Sequence, residues 1–234
     1  ANAKKRLIQM GEEKSNIFNY GCPRIDYIKK ILENKNFYLE NFFHYCKGIG
    51  EIFDIRKEKF FVILFHPVTT EYGKNRGYIE KILNAVKDLG QKVIMLWPNM
   101  DADSDNISKG IRTFREKHKP NWLIIYKNIP FEYYISLLSQ TTCLIGNSSS
   151  GIREGAYIGT PVVNIGTRQR NRLRDRNTLD VRYDELEIKK AIIKQSKAKY
   201  KKSNAYGKGN ASIKILKKIS DYKDFNIDKN FSDL

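Results

Sequence analysis

The run Gly146-Asn147-Ser148-Ser149-Ser150-Gly151-Ile152-Arg153-Glu154 follows a short apolar stretch and leads into a helical pattern. Small residues at such a junction let a diphosphate approach the backbone closely, and serine hydroxyls add donors. The first N–H groups of a helix are unpaired and carry partial positive charge. Glu154, in the first turn, can accept hydrogen bonds from the vicinal hydroxyls of a ribose. The same residues also fit a plain helix start, with Ser150 as the cap and Glu154 favouring the dipole. Local physics does not choose between the two readings. No Gly-Lys-Ser/Thr follows, so this is not a Walker loop.

Other candidates sit at comparable places. His66 directly follows an apolar run, in His66-Pro67-Val68-Thr69-Thr70-Glu71. An imidazole there can donate to a phosphate or act as general acid or base, although a lone histidine is often structural. Asn99 lies in Trp97-Pro98-Asn99-Met100-Asp101, where turn chemistry is the alternative reading. Ile129, in Asn128-Ile129-Pro130-Phe131, offers an apolar edge for a base. Arg168, Arg170 and Arg172 follow another apolar run and can make forked contacts to phosphate oxygens.

The elements that must position these residues alternate. Phe60–Phe65, Lys92–Trp97, Trp122–Tyr126, Cys143–Gly146 and Pro161–Ile165 are continuous apolar runs and predict buried strands. Between them, Tyr78–Leu89, Ser104–His118, Phe131–Gln140 and Gly151–Ile158 show helical spacing. This order predicts βαβ units and a mainly parallel, doubly wound α/β sheet. About five or six strands fit, too few for a barrel of eight repeats. In such a sheet, ligands bind at the carboxyl ends of strands, where every candidate lies. The first 57 residues are less regular. Asn16–Tyr20 reads as a possible strand, and Ile25–Leu32 and Tyr38–Tyr45 as helices. Asp184–Lys199 and Asn210–Tyr222 read as helices too.

Composition bounds the rest. The 234 residues are 41% hydrophobic, and no apolar run approaches the roughly 18 residues of a membrane span. No apolar signal peptide opens the chain. The opening residues Ala3–Met10 already read as a helix, and the expectation is that more protein lies upstream. The 3 cysteines, Cys22, Cys46 and Cys143, are far apart and form no C-x-x-C pair. Neither a disulfide framework nor a metal site is expected, and a reducing cytoplasm fits. The net charge of +17 permits nucleic-acid or anionic-membrane binding. However, lysines are spread through most predicted helices, with the densest cluster at Lys194–Lys202. A lysine-rich proteome or a polyanionic small-molecule substrate accounts for the charge equally well, and neither nucleic acid nor membrane is the expected partner.

Taken together, these pieces resemble the hydrolysing UDP-N-acetylglucosamine 2-epimerases of sialic-acid-type pathways. The resemblance is carried by His66–Glu71, Asn99, Ile129-Pro130-Phe131, Asn147–Glu154, Gly159–Gln169 and Tyr206–Ala211. Arg6–Glu12 and Gly21–Asp26 are similar to stretches near the middle of the full-length enzyme. The likeness covers nearly the whole chain. It implies the second, Rossmann-like half of a two-domain glycosyltransferase-B-type fold. Residues 1–57 would be an interdomain segment, 58–222 the UDP-binding domain and 223–234 a tail. The resemblance further implies that His66, Asn99, Ile129, Ser148, Ser149, Glu154 and Arg168 contact the UDP part of UDP-GlcNAc or a close UDP-sugar. His66 would stand nearest the chemistry. No cofactor and no metal are implied. The C2-proton base and acid would lie in the other half, and the full-length protein would be a dimer or tetramer.

Some positions depart from the family pattern. Lys208 stands where an acidic residue is common, and Arg174–Asn177 lacks a glycine common after Arg172. Lys109 and Arg112 match only in part the basic residues through which vertebrate members are inhibited. Two alternatives remain. A glycosyltransferase of the same fold would share the Ser/Gly run and the ribose glutamate, but not the runs at His66–Glu71 and Gly166–Gln169. A basic nucleic-acid-binding protein would explain the charge and leave the strand-end residues unexplained.

Overall fold

The computed structural model describes residues 2–221. In chain order the helices are α1 (Asn2–Gln9), α2 (Pro23–Glu33), α3 (Lys35–Glu40), α4 (Phe42–Tyr45), α5 (Asn75–Lys87), α6 (Ser104–His118), α7 (Phe131–Gln140), α8 (Ser149–Ile152), α9 (Glu154–Ile158), α10 (Glu185–Ser196) and α11 (Ala211–Ser220). The strands are β1 (Phe60–Leu64), β2 (Lys92–Leu96), β3 (Leu123–Tyr126), β4 (Cys143–Gly146), β5 (Val162–Ile165) and β6 (Thr178–Val181). The chain forms two compact units, Lys30–Ala205 and the described parts of Ala1–Lys29 with Tyr206–Leu234. The stretch 223–234, expected as a tail, lies outside the described residues.

The larger unit holds one sheet of parallel strands in the order β3-β2-β1-β4-β5-β6. Chain order reverses between β1 and β4, which opens a crevice at their carboxyl ends. Both faces of the sheet are covered, so the strands are apolar throughout rather than alternating. Phe61 and Ile63 of β1 point into a cluster with Ile79, Leu83 and Val86 of α5, Ile107 and Ile111 of α6, and Ile188 and Ile192 of α10. The intervening Phe60 and Val62 are equally buried outside that cluster. Tyr126 of β3 meets Phe42 of α4 at 5.4 Å between ring centroids, and Phe42 meets Tyr133 of α7 at 6.3 Å. Each such side chain withdrawn from water contributes roughly 1.5–3 kcal/mol.

In the smaller unit Asp26 caps α11, accepting from the N–H groups of Ala211 at 3.0 Å and Ser212 at 2.6 Å. Cys22 N–H donates to Tyr206 O at 2.8 Å. Asn16–Tyr20, expected as a possible strand, is not one. A 3-10 turn occupies Lys14–Asn16. Phe18 and Tyr20 then stack at 5.8 Å, and the Lys218 ammonium lies 4.4 Å from the Phe18 ring centroid. The aromatic residues that suggested a strand are thus spent on side-chain packing.

Further differences from expectation have local causes. The helix expected over Tyr38–Tyr45 divides at Asn41, whose side-chain amide donates to Phe37 O at 2.9 Å. The helix expected over Gly151–Ile158 starts earlier and divides at Arg153 (φ −96°, ψ −63°). Its cap is Ser148, not Ser150: the Ser148 hydroxyl accepts from Ser150 N–H at 3.3 Å. β6 was not singled out in the sequence, because this edge strand buries only Val181.

Candidate functional site

All candidate residues belong to the larger unit. The crevice between β1 and β4 is built around Asn147, which is fully buried. Its side-chain oxygen accepts from His66 N–H at 2.8 Å, and its side-chain NH2 donates to His66 O at 2.8 Å. One amide thus satisfies both backbone groups of the residue that leaves β1. A buried backbone group without such a partner would cost about 1–3 kcal/mol. The strand ends meet closely because residue 146 is glycine. With φ 141°, a Cβ there would stand 2.1 Å from Leu64 O.

His66 is itself nearly buried. Its Nδ1 accepts from Asn99 N–H at 3.3 Å, which leaves the proton of the neutral ring on Nε2 as a donor. Burial depresses its pKa to about 4, helped by the Arg168 guanidinium and opposed by Asp101. Above that pH the ring is a neutral hydrogen-bond donor. Asn99 touches His66 through its backbone, while its side chain is exposed.

Arg168 reaches the same place from the loop after β5. Its Nη1 donates to Asn147 O at 3.4 Å and its Nη2 stands 3.9 Å from Asp101. Buried Gln169 donates to Asn147 O at 2.7 Å. Arg170 and Arg172 are exposed on the surface, so of these arginines only Arg168 joins the network. Two further clamps hold the loops together. Thr167 Oγ1 donates to Glu71 Oε1 at 2.5 Å, joining the loops after β5 and β1. Buried Asn75 accepts from Val68 N–H at 3.0 Å and donates to Asp103 Oδ2 at 2.6 Å, joining the loops after β1 and β2. Asp103 also accepts from Gly73 N–H at 3.0 Å, which ties the same two loops a second time.

Ser148 and Ser149 lie half-buried at the start of α8. With only four residues, this helix carries little macrodipole, so its N–H groups and hydroxyls matter more than its field. Ser150 donates to Ser148 Oγ at 3.0 Å and shares a 2.6 Å hydrogen bond with the buried Tyr134 hydroxyl. Glu154 is buried, and its Oε1 accepts from Arg153 Nη2 at 2.8 Å and Nε at 3.2 Å. Ile129 is buried beyond the end of β3, outside the hydrogen-bonded network. Asn147, Gln169 and Asp101 stand inside runs quoted from the sequence but have no role of their own there, and Tyr134 is not singled out. For Asn147 the available signal was a polar residue directly after a fully apolar strand, which must be buried and therefore paired; the other three lie in loops or a helix and left no comparable signal.

Chemically, the crevice presents a neutral imidazole donor and a guanidinium, both held by Asn147, together with serine hydroxyls. Such an arrangement suits an anion with several oxygens. Among the described residues no group of His, Cys, Asp and Glu is placed to hold a metal ion, and no helix is long and apolar enough to cross a membrane.

Comparisons with known proteins agree on a family. A family model described as UDP-N-acetylglucosamine 2-epimerase matches residues 1–220. A "UDP-N-acetylglucosamine 2-epimerase" of Neisseria meningitidis is 30% identical over 190 residues, 81% of this chain and 47% of that protein. A "UDP-N,N'-diacetylbacillosamine 2-epimerase (hydrolyzing)" of Legionella pneumophila is 32% identical over 229 residues, 93% of this chain and 55% of that protein. The chain thus spans about half the length of the curated relatives it matches. Among solved structures, the UDP-GlcNAc 2-epimerase of Methanocaldococcus jannaschii in complex with UDP-GlcNAc and UDP superposes with a TM-score of 0.72 at 14% identity, covering 94% of this chain and 59% of that one. The Neisseria meningitidis enzyme bound to UDP-GlcNAc gives 0.71 at 16% identity, covering 94% and 60%. These likenesses establish the fold, a Rossmann-like unit of the glycosyltransferase-B type. On the match over residues 1–220, the chain belongs to the UDP-N-acetylglucosamine 2-epimerase family.

Proposed function

We infer that the complete protein is a hydrolysing epimerase. It would convert UDP-GlcNAc and water to N-acetylmannosamine and UDP, in the cytoplasm, for sialic-acid-type sugar synthesis. This chain supplies the half that holds UDP. The observation that carries the reading is the Asn147 clamp, which fixes His66 beside Arg168 at the switch point of the sheet.

In this reading the diphosphate lies across the crevice. His66 Nε2–H, Arg168 and the hydroxyls of Ser148 and Ser149 donate to its oxygens. Glu154 turns its carboxylate to the ribose hydroxyls, and Ile129 and Asn99 border the nucleotide. The C2 proton is removed, the C1–O bond breaks and UDP leaves with the bonding electrons. Water then adds its hydroxyl to C1 and a proton returns to the opposite face of C2. The donors that bind the diphosphate do most as its negative charge grows, so they lower the barrier as well as bind. The groups that move the C2 proton belong to the part of the protein outside this chain. UDP-diacetylbacillosamine is the nearest substrate alternative, and its choice rests with that part as well.

The test is to incubate the full-length protein with UDP-GlcNAc in heavy water without any acceptor. UDP and N-acetylmannosamine carrying deuterium at C2 are expected. Release of N-acetylglucosamine would remove the epimerase reading, and UDP-N-acetylmannosamine as product would remove the hydrolysing one.

A further inference from the structure

A second cleft, of about 490 Å3, is lined by Ala156, Asp175, Arg176, Asn177 and the residues from Lys199 to Ser203. It lies by the amino ends of β5 and β6, whereas the crevice described above lies at carboxyl ends. The segment from Lys199 to Ser203 has no regular secondary structure, yet its path is set. It crosses Gly159 (φ 89°), where a Cβ would stand 2.4 Å from Tyr200 O. Tyr200 donates its hydroxyl proton to Gln195 Oε1 at 2.7 Å, and Ser203 N–H donates to Ala156 O at 3.0 Å. The Ser203 hydroxyl donates to Asp175. The Lys202 ammonium lies 5.9 Å from the Tyr157 ring centroid.

The charges in this cleft are lopsided. Arg176, Lys199, Lys201 and Lys202 are exposed around it. Asp175 is the single acid of the lining, and its oxygens already accept from the Ser203 hydroxyl and, at 2.6 Å, from Arg176 N–H. Asn177 spends its NH2 on Thr160 O at 2.9 Å and Gly151 O at 3.3 Å. Four cations therefore face a concavity whose lining carries one carboxylate, which leaves an excess of positive charge. Its volume falls within the roughly 300–1,000 Å3 of small-molecule sites.

We infer that this cleft is a binding site for a small phosphate-bearing molecule, separate from the β1/β4 crevice. A phosphate or diphosphate concentrates the negative charge that gathered ammonium and guanidinium groups prefer. A concave cleft suits a small molecule better than a nucleic-acid backbone, which needs an extended basic track. The shape and charge of the cleft do not depend on which reaction the crevice supports.

Calorimetric titration of inorganic pyrophosphate into full-length protein tests it, with total ionic strength held constant by sodium chloride. The background carries Arg168→Ala, so that the crevice contributes little. Saturable binding is expected in that background. Adding Lys201→Glu and Lys202→Glu weakens it by roughly tenfold or more, about 1.4 kcal/mol per tenfold. Lys201→Gln and Lys202→Gln give an intermediate loss, and circular dichroism confirms that each variant is folded. Absence of saturable binding in the Arg168→Ala background, or an isotherm unmoved by charge reversal, overturns the inference.

Discussion

At the carboxyl ends of β1 and β4, polar groups are buried and committed. Asn147 spends its whole side-chain amide on His66, and its carbonyl receives both Gln169 and Arg168. At the amino ends of β5 and β6, Lys199, Lys201 and Lys202 stand in water around a cleft whose walls are held by Tyr200, Ser203 and Asn177. The first region is preorganised, so its donors are already aimed and lose little freedom when an anion arrives. In the second, long flexible side chains must be ordered on binding, and salt screens them. One kind of site depends on geometry and the other on charge.

The largest effect should come from breaking the geometric site at its centre. Asn147→Ala leaves His66 N–H and C=O buried without partners. We expect a loss of roughly 2–4 kcal/mol in urea denaturation, accompanied by loss of UDP binding. Lys201→Ala, on the exposed strap, should stay within about 0.5 kcal/mol of the parent. Equal stability of the two variants would end the contrast.

A smaller effect separates binding from folding. Arg168→Ala should raise the Kd for UDP roughly 10- to 100-fold, read by calorimetry, with little change in Tm. Arg168→Lys keeps the charge but loses the planar fork, and should recover only part of that affinity. Full recovery would mean that the crevice reads charge rather than geometry.

The subtlest prediction concerns pH. His66 has its pKa depressed to about 4 by burial and by Arg168, against about 6.5 in an unfolded chain. A depressed pKa means that the folded state takes up its proton later than the unfolded one. Stability from the neutral ring is complete above pH 6.5 and is lost as pH falls from there toward about 4. A bound diphosphate favours the charged ring and raises this pKa, so UDP affinity should strengthen as pH falls through that window. NMR of the imidazole carbons checks both. A free-protein midpoint near 6.5 would show that the ring is solvated, and the crevice would then resemble the lysine cleft.

Much of the scaffold was legible in the chain. Ser104–His118, Phe131–Gln140 and Cys143–Gly146 have the bounds expected of them, because burial leaves a periodic trace in residue type. β6 left little trace, since an edge strand with one buried side chain has no apolar run. Asn16–Tyr20 misled, because aromatic residues serve strands and side-chain stacking alike. The cap at Ser148 was misplaced by two residues, since Ser148, Ser149 and Ser150 are chemically interchangeable until backbone angles distinguish them.

Residue types and their order determined the sheet, its parallel class and the gathering of His66, Asn99, Ser148 and Arg168 at strand ends. Those follow from hydrophobic periodicity and from helical crossovers, which bring each strand back to start at the same end of the sheet. Only the tertiary structure decided that Asn147 clamps His66, that Asn99 acts through its backbone and that Arg168 alone of its arginines turns inward. The physical reason is that hydrogen bonds such as His66–Asn147 join residues far apart in the chain. Their partners are chosen by the register of β1 against β4, which no local pattern encodes.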